Sequence, residues 1–142
     1  MTKYQNNKNK KSGFENIVIM IGSALWQLIT LPFKKKKSGD VIVRWKEVQE
    51  LMVKDDVHAW TMAIIKADSI LDSVLQKRVS GNTVGERLKA MENKINRDTL
   101  QSAWDAHKVR NQIAHGDSDI SKTQAQDAIA NFRKTLNSLS EL

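Results

Sequence analysis

Residues 57–78 constrain this chain more than any other stretch, because Trp60, Ala63, Ile64, Ala67, Leu71, Val74 and Leu75 recur at helical spacing along one wide apolar stripe. A helix of that width needs other helices to cover it. Residues 44–54, RWKEVQELMVK, supply one, with Trp45, Val48, Leu51 and Met52 turned inward. Thr83 and Glu86 form a capping box for a short helix through about Asn93. Asp98 is a suitable N-cap for a helix that runs to Gly116, where a left-handed C-cap fits. Ser121 and Gln124 make a second capping box, opening a last helix with Ala125, Ala128, Ile129, Phe132, Leu136 and Leu139 inward. The run Val41-Ile42-Val43 is too short for a convincing strand, so the expected class is all-α. About five helices with short loops suggest an antiparallel four-helix bundle, with the first helix packed across it.

The N-terminal part has a different character. Residues 1–13, MTKYQNNKNKKSG, are polar and without apolar periodicity, as a disordered basic arm would be. Residues 16–33, NIVIMIGSALWQLITLPF, then run for 18 residues without a charge and end in Pro32 and four lysines. Residues 14–37 therefore read as a hydrophobic helix that associates with a membrane, with Ile17, Ile21, Leu25, Trp26, Leu28, Leu31 and Phe33 as its apolar contacts. The polar residues Asn16, Ser23, Gln27 and Thr30 share one side, which suits either a spanning helix with a partner or one lying in the membrane plane. Lysines flank both ends, and the tight run Lys34 to Lys37 favours a cytoplasmic C-terminal domain. Residues 38–43 read as a linker, leaving 44–142 as the helical domain.

The net charge of +7 invites a nucleic-acid reading until its location is considered. Residues 1–39 hold eight of the 23 basic residues but one of the 16 acidic ones, Glu15, so the charge belongs to the anchor. The helical domain is neutral as a whole, which disfavours a general polyanion binder but leaves room for a local basic cleft. The absence of cysteine removes disulfides, thiolate chemistry and cysteine-based metal sites.

Chemistry-bearing residues concentrate in residues 104–116, WDAHKVRNQIAHG. On a helix, His107, Asn111 and His115 rise in a one-sided column, with Arg110 across Ala114 from it and His115 in the last turn. The sequence Arg110-Asn111-Gln112-Ile113-Ala114-His115 resembles the Arg, polar residue, three-residue spacer, His motif of the HEPN superfamily of small helical bundles. The stretches AWTMAIIKADSILDSVL at 59–75, GERLK at 85–89 and AWDAHKVRNQIAH at 103–115 are similar to uncharacterised bacterial HEPN-like proteins. The resemblance spans roughly residues 40–140 and implies a homodimer in which Arg and His of both subunits line a shared cleft. In many members that cleft is a metal-independent endoribonuclease, while others bind only ligands or partners.

Cleavage of RNA without a metal requires a base for the 2′-hydroxyl proton, an acid for the leaving oxygen and a cation for the charge gathering at phosphorus. The corresponding assignment makes His115 the acid or base, Arg110 the phosphate ligand and Asn111 an orienting group, with His107, Lys108 and Asp68 in support. Each has a plainer reading. Asp68 lies beside the apolar stripe of residues 57–78 and needs a cation, so Arg110 can serve as its structural partner. Asn111 and His115 can satisfy backbone groups or bridge a dimer interface, and His107 is first a supporting or interface residue. No cofactor is expected: no His and carboxylate set has metal-ligand spacing, and Gly81 and Gly85 bracket a capping box, not a phosphate loop. Besides a membrane-tethered ribonuclease, the sequence accommodates a non-catalytic dimerisation or interaction module that holds a protein partner at the membrane.

Overall fold

The computed structural model describes residues 39–116 and 120–142. The described residues form five α-helices and no strand: α1 Gly39–Val53, α2 Val57–Gln76, α3 Val84–Ala90, α4 Arg97–His115 and α5 Lys122–Ser138. No helix among them is long and apolar enough to cross a membrane. The membrane-associating stretch with Ile17, Ile21, Leu25, Trp26, Leu28, Leu31 and Phe33 lies outside the described residues, as does the basic arm.

The helix α2 is the hub and touches each of the other four. All seven residues of its apolar stripe are buried, together with Ile70. Asp56 caps it, accepting hydrogen bonds from the backbone N–H groups of His58 and Ala59. Against this stripe Phe132 and Leu136 of α5 and Leu88 of α3 are fully buried. The small residues Ala103 and Ala106 of α4 are buried as well, and small side chains let a helix approach its neighbours closely.

Side-chain contacts give the helix directions. Arg44 reaches Ser69 and Ser73, Glu47 pairs with Lys66, and Trp60 Nε1 donates to the Lys54 carbonyl, so α1 runs antiparallel to α2. Asp55 pairs with Lys122 while Arg78 donates to the Leu139 carbonyl, so α5 is parallel to α2. The start of α4 meets the end of α5 through Asp98–Lys134 and Thr99–Ser138, which makes α4 and α5 antiparallel. The short α3 bridges α2 and α4.

Several boundaries differ from the sequence reading. The first helix starts at Gly39, ahead of Arg44, and lies along α2 instead of across the bundle. Val41, only 2% exposed, docks in the core beside Trp45 and Val48, and this burial outweighs the β preference of a Val-Ile-Val run. Asp40 adds a favourable charge in the first turn and pairs with Arg44 one turn later. The helix after Thr83 stops at Ala90, short of Asn93, and Glu86 reaches back to the N–H of Asn82 instead of Thr83. Asn96, not Asp98, caps α4 by accepting from Thr99, which frees Asp98 for Lys134. The capping box of Ser121 and Gln124 is present with both of its hydrogen bonds.

The burial contrast at the start of α1 gives a test. Val41→Ala should destabilise the protein by about 2 kcal/mol in urea unfolding, while Ile42→Ala, at an exposed neighbour, should stay within about 0.5 kcal/mol. Equal small effects would return residues 38–43 to a linker.

Candidate functional site

Two carboxylates one turn apart on α2 organise an open cleft between α2, α3 and α4. Asp68 and Asp72 fall on one side of that helix because four residues make slightly more than one turn. Asp68 is the deeper, with a side chain 6% exposed, and a carboxylate so placed needs donors around it. The helix α4 provides one donor and an ion-pair partner. His107 Nδ1 lies 2.8 Å from Asp68 Oδ1, and Arg110 Nε lies 3.4 Å from Asp68 Oδ2. Three residues separate His107 from Arg110, the spacing that puts both on one helical face.

Asp72 has its own cation, Arg87 of α3, whose Nη1 pairs with Oδ1, while Gln76 Nε2 donates to Oδ2 at 2.7 Å. Gly81, at φ 154°, passes close to Arg87, and a Cβ there would sit 3.0 Å from Arg87 Cγ and 3.1 Å from its backbone nitrogen. The glycine thus seats the start of α3 and, with it, the guanidinium. Trp104 closes one side, its ring edge-on to His107 at 6.3 Å between centroids and next to Gly85. The cleft has a volume of about 630 Å³.

Of the residues singled out from sequence, Asp68, His107, Arg110 and Asn111 meet in this cleft. Arg110 uses Nε for Asp68 and donates from Nη1 to Asn111 Oδ1 at 3.3 Å, and its side chain stays 38% exposed. His115 and Lys108 are exposed and do not line the cleft. His115 closes the last turn of α4, where Gly116 at φ 69° ends the helix in the left-handed conformation and donates its N–H to Gln112 and Ile113 carbonyls. The column of His107, Asn111 and His115 therefore divides by depth: buried, half-buried and exposed.

The pairing of Asp68 with Arg110 is the ion pair that the sequence suggested as the plain role of Arg110, and His107 joins the same carboxylate. Arg87, Asp72 and Trp104 are site residues that the sequence reading passed over. A second carboxylate one turn after Asp68 was a visible signal that another cation was required, but nothing in GERLK marked Arg87 as its source. Among the described residues no three His, Cys, Asp or Glu side chains gather as a metal-ligand set.

What this arrangement can do chemically follows from its atoms. A carboxylate only accepts, so Asp68 accepts a hydrogen bond from His107 Nδ1–H and orients the ring. The terminal nitrogens of Arg110 retain free N–H groups beside Asn111, at a concave surface open to solvent. Planar paired donors of this kind suit phosphate or carboxylate oxygens.

The two partners of Asp68 should differ in what they contribute to stability. Arg110→Ala removes a partly exposed ion-pair member and should cost about 1 kcal/mol or less, since Asp68 keeps its hydrogen bond to the histidine. His107→Ala empties a buried position and withdraws the closer donor, and should cost about 2–4 kcal/mol. Thermal unfolding of the two variants side by side measures the difference.

Compared with known proteins, the chain matches no family model, no curated protein and no solved structure.

Proposed function

We propose that the helical part of this chain is a HEPN-like domain that cleaves RNA without a metal, as a homodimer held at the cytoplasmic face of a membrane by residues 14–37. One observation carries the reading: Arg110, ion-paired with a buried carboxylate 3.4 Å from its Nε, offers its remaining N–H groups together with Asn111 to an open cleft. An arginine positioned by its own carboxylate is ready to receive a phosphodiester without first being ordered by it.

In this reading Arg110 neutralises the charge that gathers on the phosphate as the 2′-oxygen attacks, and Asn111 orients Arg110 and the substrate. His115, free at the end of α4, transfers a proton where a second subunit brings the two motifs together. Trp104 lines the cleft, where an aromatic ring can stack with a base.

A second reading has its own support. Asp68 offsets the charge of Arg110 and Asp72 that of Arg87, so the cleft gathers less positive potential than its arginines alone would give. That balance suits an interaction module, in which the same residues knit α2, α3 and α4 and the anchor localises a protein partner.

The two are separated with the full chain in detergent micelles, labelled single-stranded RNA and EDTA. The nuclease reading expects cleavage to a 2′,3′-cyclic phosphate, with Arg110→Ala and His115→Ala each slower by about 100-fold or more while still folded. A folded, dimeric wild-type protein that leaves RNA intact selects the interaction module.

A further inference from the structure

Resting on the nuclease reading, we infer that His107, oriented through Nδ1 by the buried Asp68, is the group in the cleft that takes the 2′-hydroxyl proton of bound RNA. The Arg and His motif assigns proton transfer to His115 and leaves His107 in support. The geometry reverses their places relative to the cleft.

His107 has one hydrogen bond, from Nδ1 to Asp68. With Nδ1 carrying the proton, Nε2 is the basic nitrogen of the neutral ring. Nε2 has no partner among the described residues, where no buried polar side-chain atom lacks one, so Nε2 is reached by solvent. His107 and Arg110 line the same cleft, and on this assignment the open nitrogen shares that space with the Arg110 donors. One face of α4 thereby carries a base, a phosphate ligand three residues on and an amide four residues on. A base directed by a third group that fixes its tautomer is the arrangement nucleophile activation requires.

His115 does not share this arrangement. Eight residues place it about 12 Å further along the helix axis, too far for both histidines of one subunit to straddle a single phosphate. The division of labour follows. The 2′-hydroxyl proton passes to His107 Nε2 as the 2′-oxygen bonds to phosphorus. The bond from phosphorus to the 5′-oxygen breaks, and that oxygen takes a proton from a His115 imidazolium supplied by the second copy of the chain. The products are a 2′,3′-cyclic phosphate and a 5′-hydroxyl, and the protons balance when the two histidines exchange their states through water. Arg110 holds the phosphate throughout, and Asp68 acts as a positioning residue.

The experiment compares the full chain in micelles with His107→Gln, His107→Ala and Asp68→Asn, each checked for folding by circular dichroism, on labelled RNA in EDTA. His107→Gln keeps an amide donor for Asp68, so it separates loss of the base from loss of the buried hydrogen bond. The expected result is a fall in kcat of about 100-fold or more for both His107 variants, with KM little changed. Added imidazole should raise the rate of His107→Ala at least about tenfold, by supplying the missing base in the space left behind. Asp68→Asn should lower kcat and, because it also loosens the hold on Arg110, raise KM. If wild type cleaves and His107→Gln keeps its rate, the role of His107 is overturned while the nuclease reading stands. Loss of cleavage without rescue by imidazole also overturns it, since a structural histidine would behave in that way. No cleavage by wild type removes the nuclease reading and this assignment together.

Discussion

A single buried carboxylate governs this domain. Asp68 sits on the central helix among residues that are almost all apolar, and its charge is tolerable only because α4 brings a histidine and an arginine to it. That hydrogen bond and ion pair, with the burial of Ala103 and Ala106, set how α4 turns about its own axis against α2. The rotation in turn decides which residues of α4 face the cleft and which face water. Asn111 inherits a place at the cleft edge through Arg110, and His115 inherits exposure.

The second pair, Asp72 with Arg87, repeats the device one turn along α2 and ties down a helix of only seven residues. A helix that short has little stability of its own, so its position depends on its cap, its packing and this contact. The two pairs make a cleft that is polar and charged but nearly balanced. In the proposed reading, recognition of a phosphate would rest on where individual donors point more than on bulk potential. The same balance explains why the net charge of the chain, concentrated before residue 40, says so little about the cleft.

Much of the helical scaffold was legible in the sequence because burial there follows simple periodicity. The stripe from Trp60 to Leu75 and the capping box at Ser121 needed no knowledge of their neighbours. The start of α1 was not legible, since Val41 joins the helix only because α2 offers a place to bury it. The cap of α4 was misplaced because Asn96 and Asp98 both satisfy the rule for a cap; the helix starts at Arg97, so Asn96 caps it and Asp98, inside the first turn, pairs with Lys134. At the site, the contact of Asp68 with Arg110 could be anticipated from a carboxylate near the core. The contact with His107 could not, because a helical wheel gives angle but not depth.

The placement of α1 has a mechanical consequence. It packs chiefly along one edge of α2, held by Val41, Trp45, Val48 and the reach of Arg44 to two serines, while the cleft is built from α2, α3 and α4. Tension entering from the N-terminal side meets α1 first, and peeling that helix away breaks none of the contacts made by Asp68 or Asp72. Under such tension α1 can act as a strain absorber that leaves the arrangement around His107 and Arg110 undisturbed.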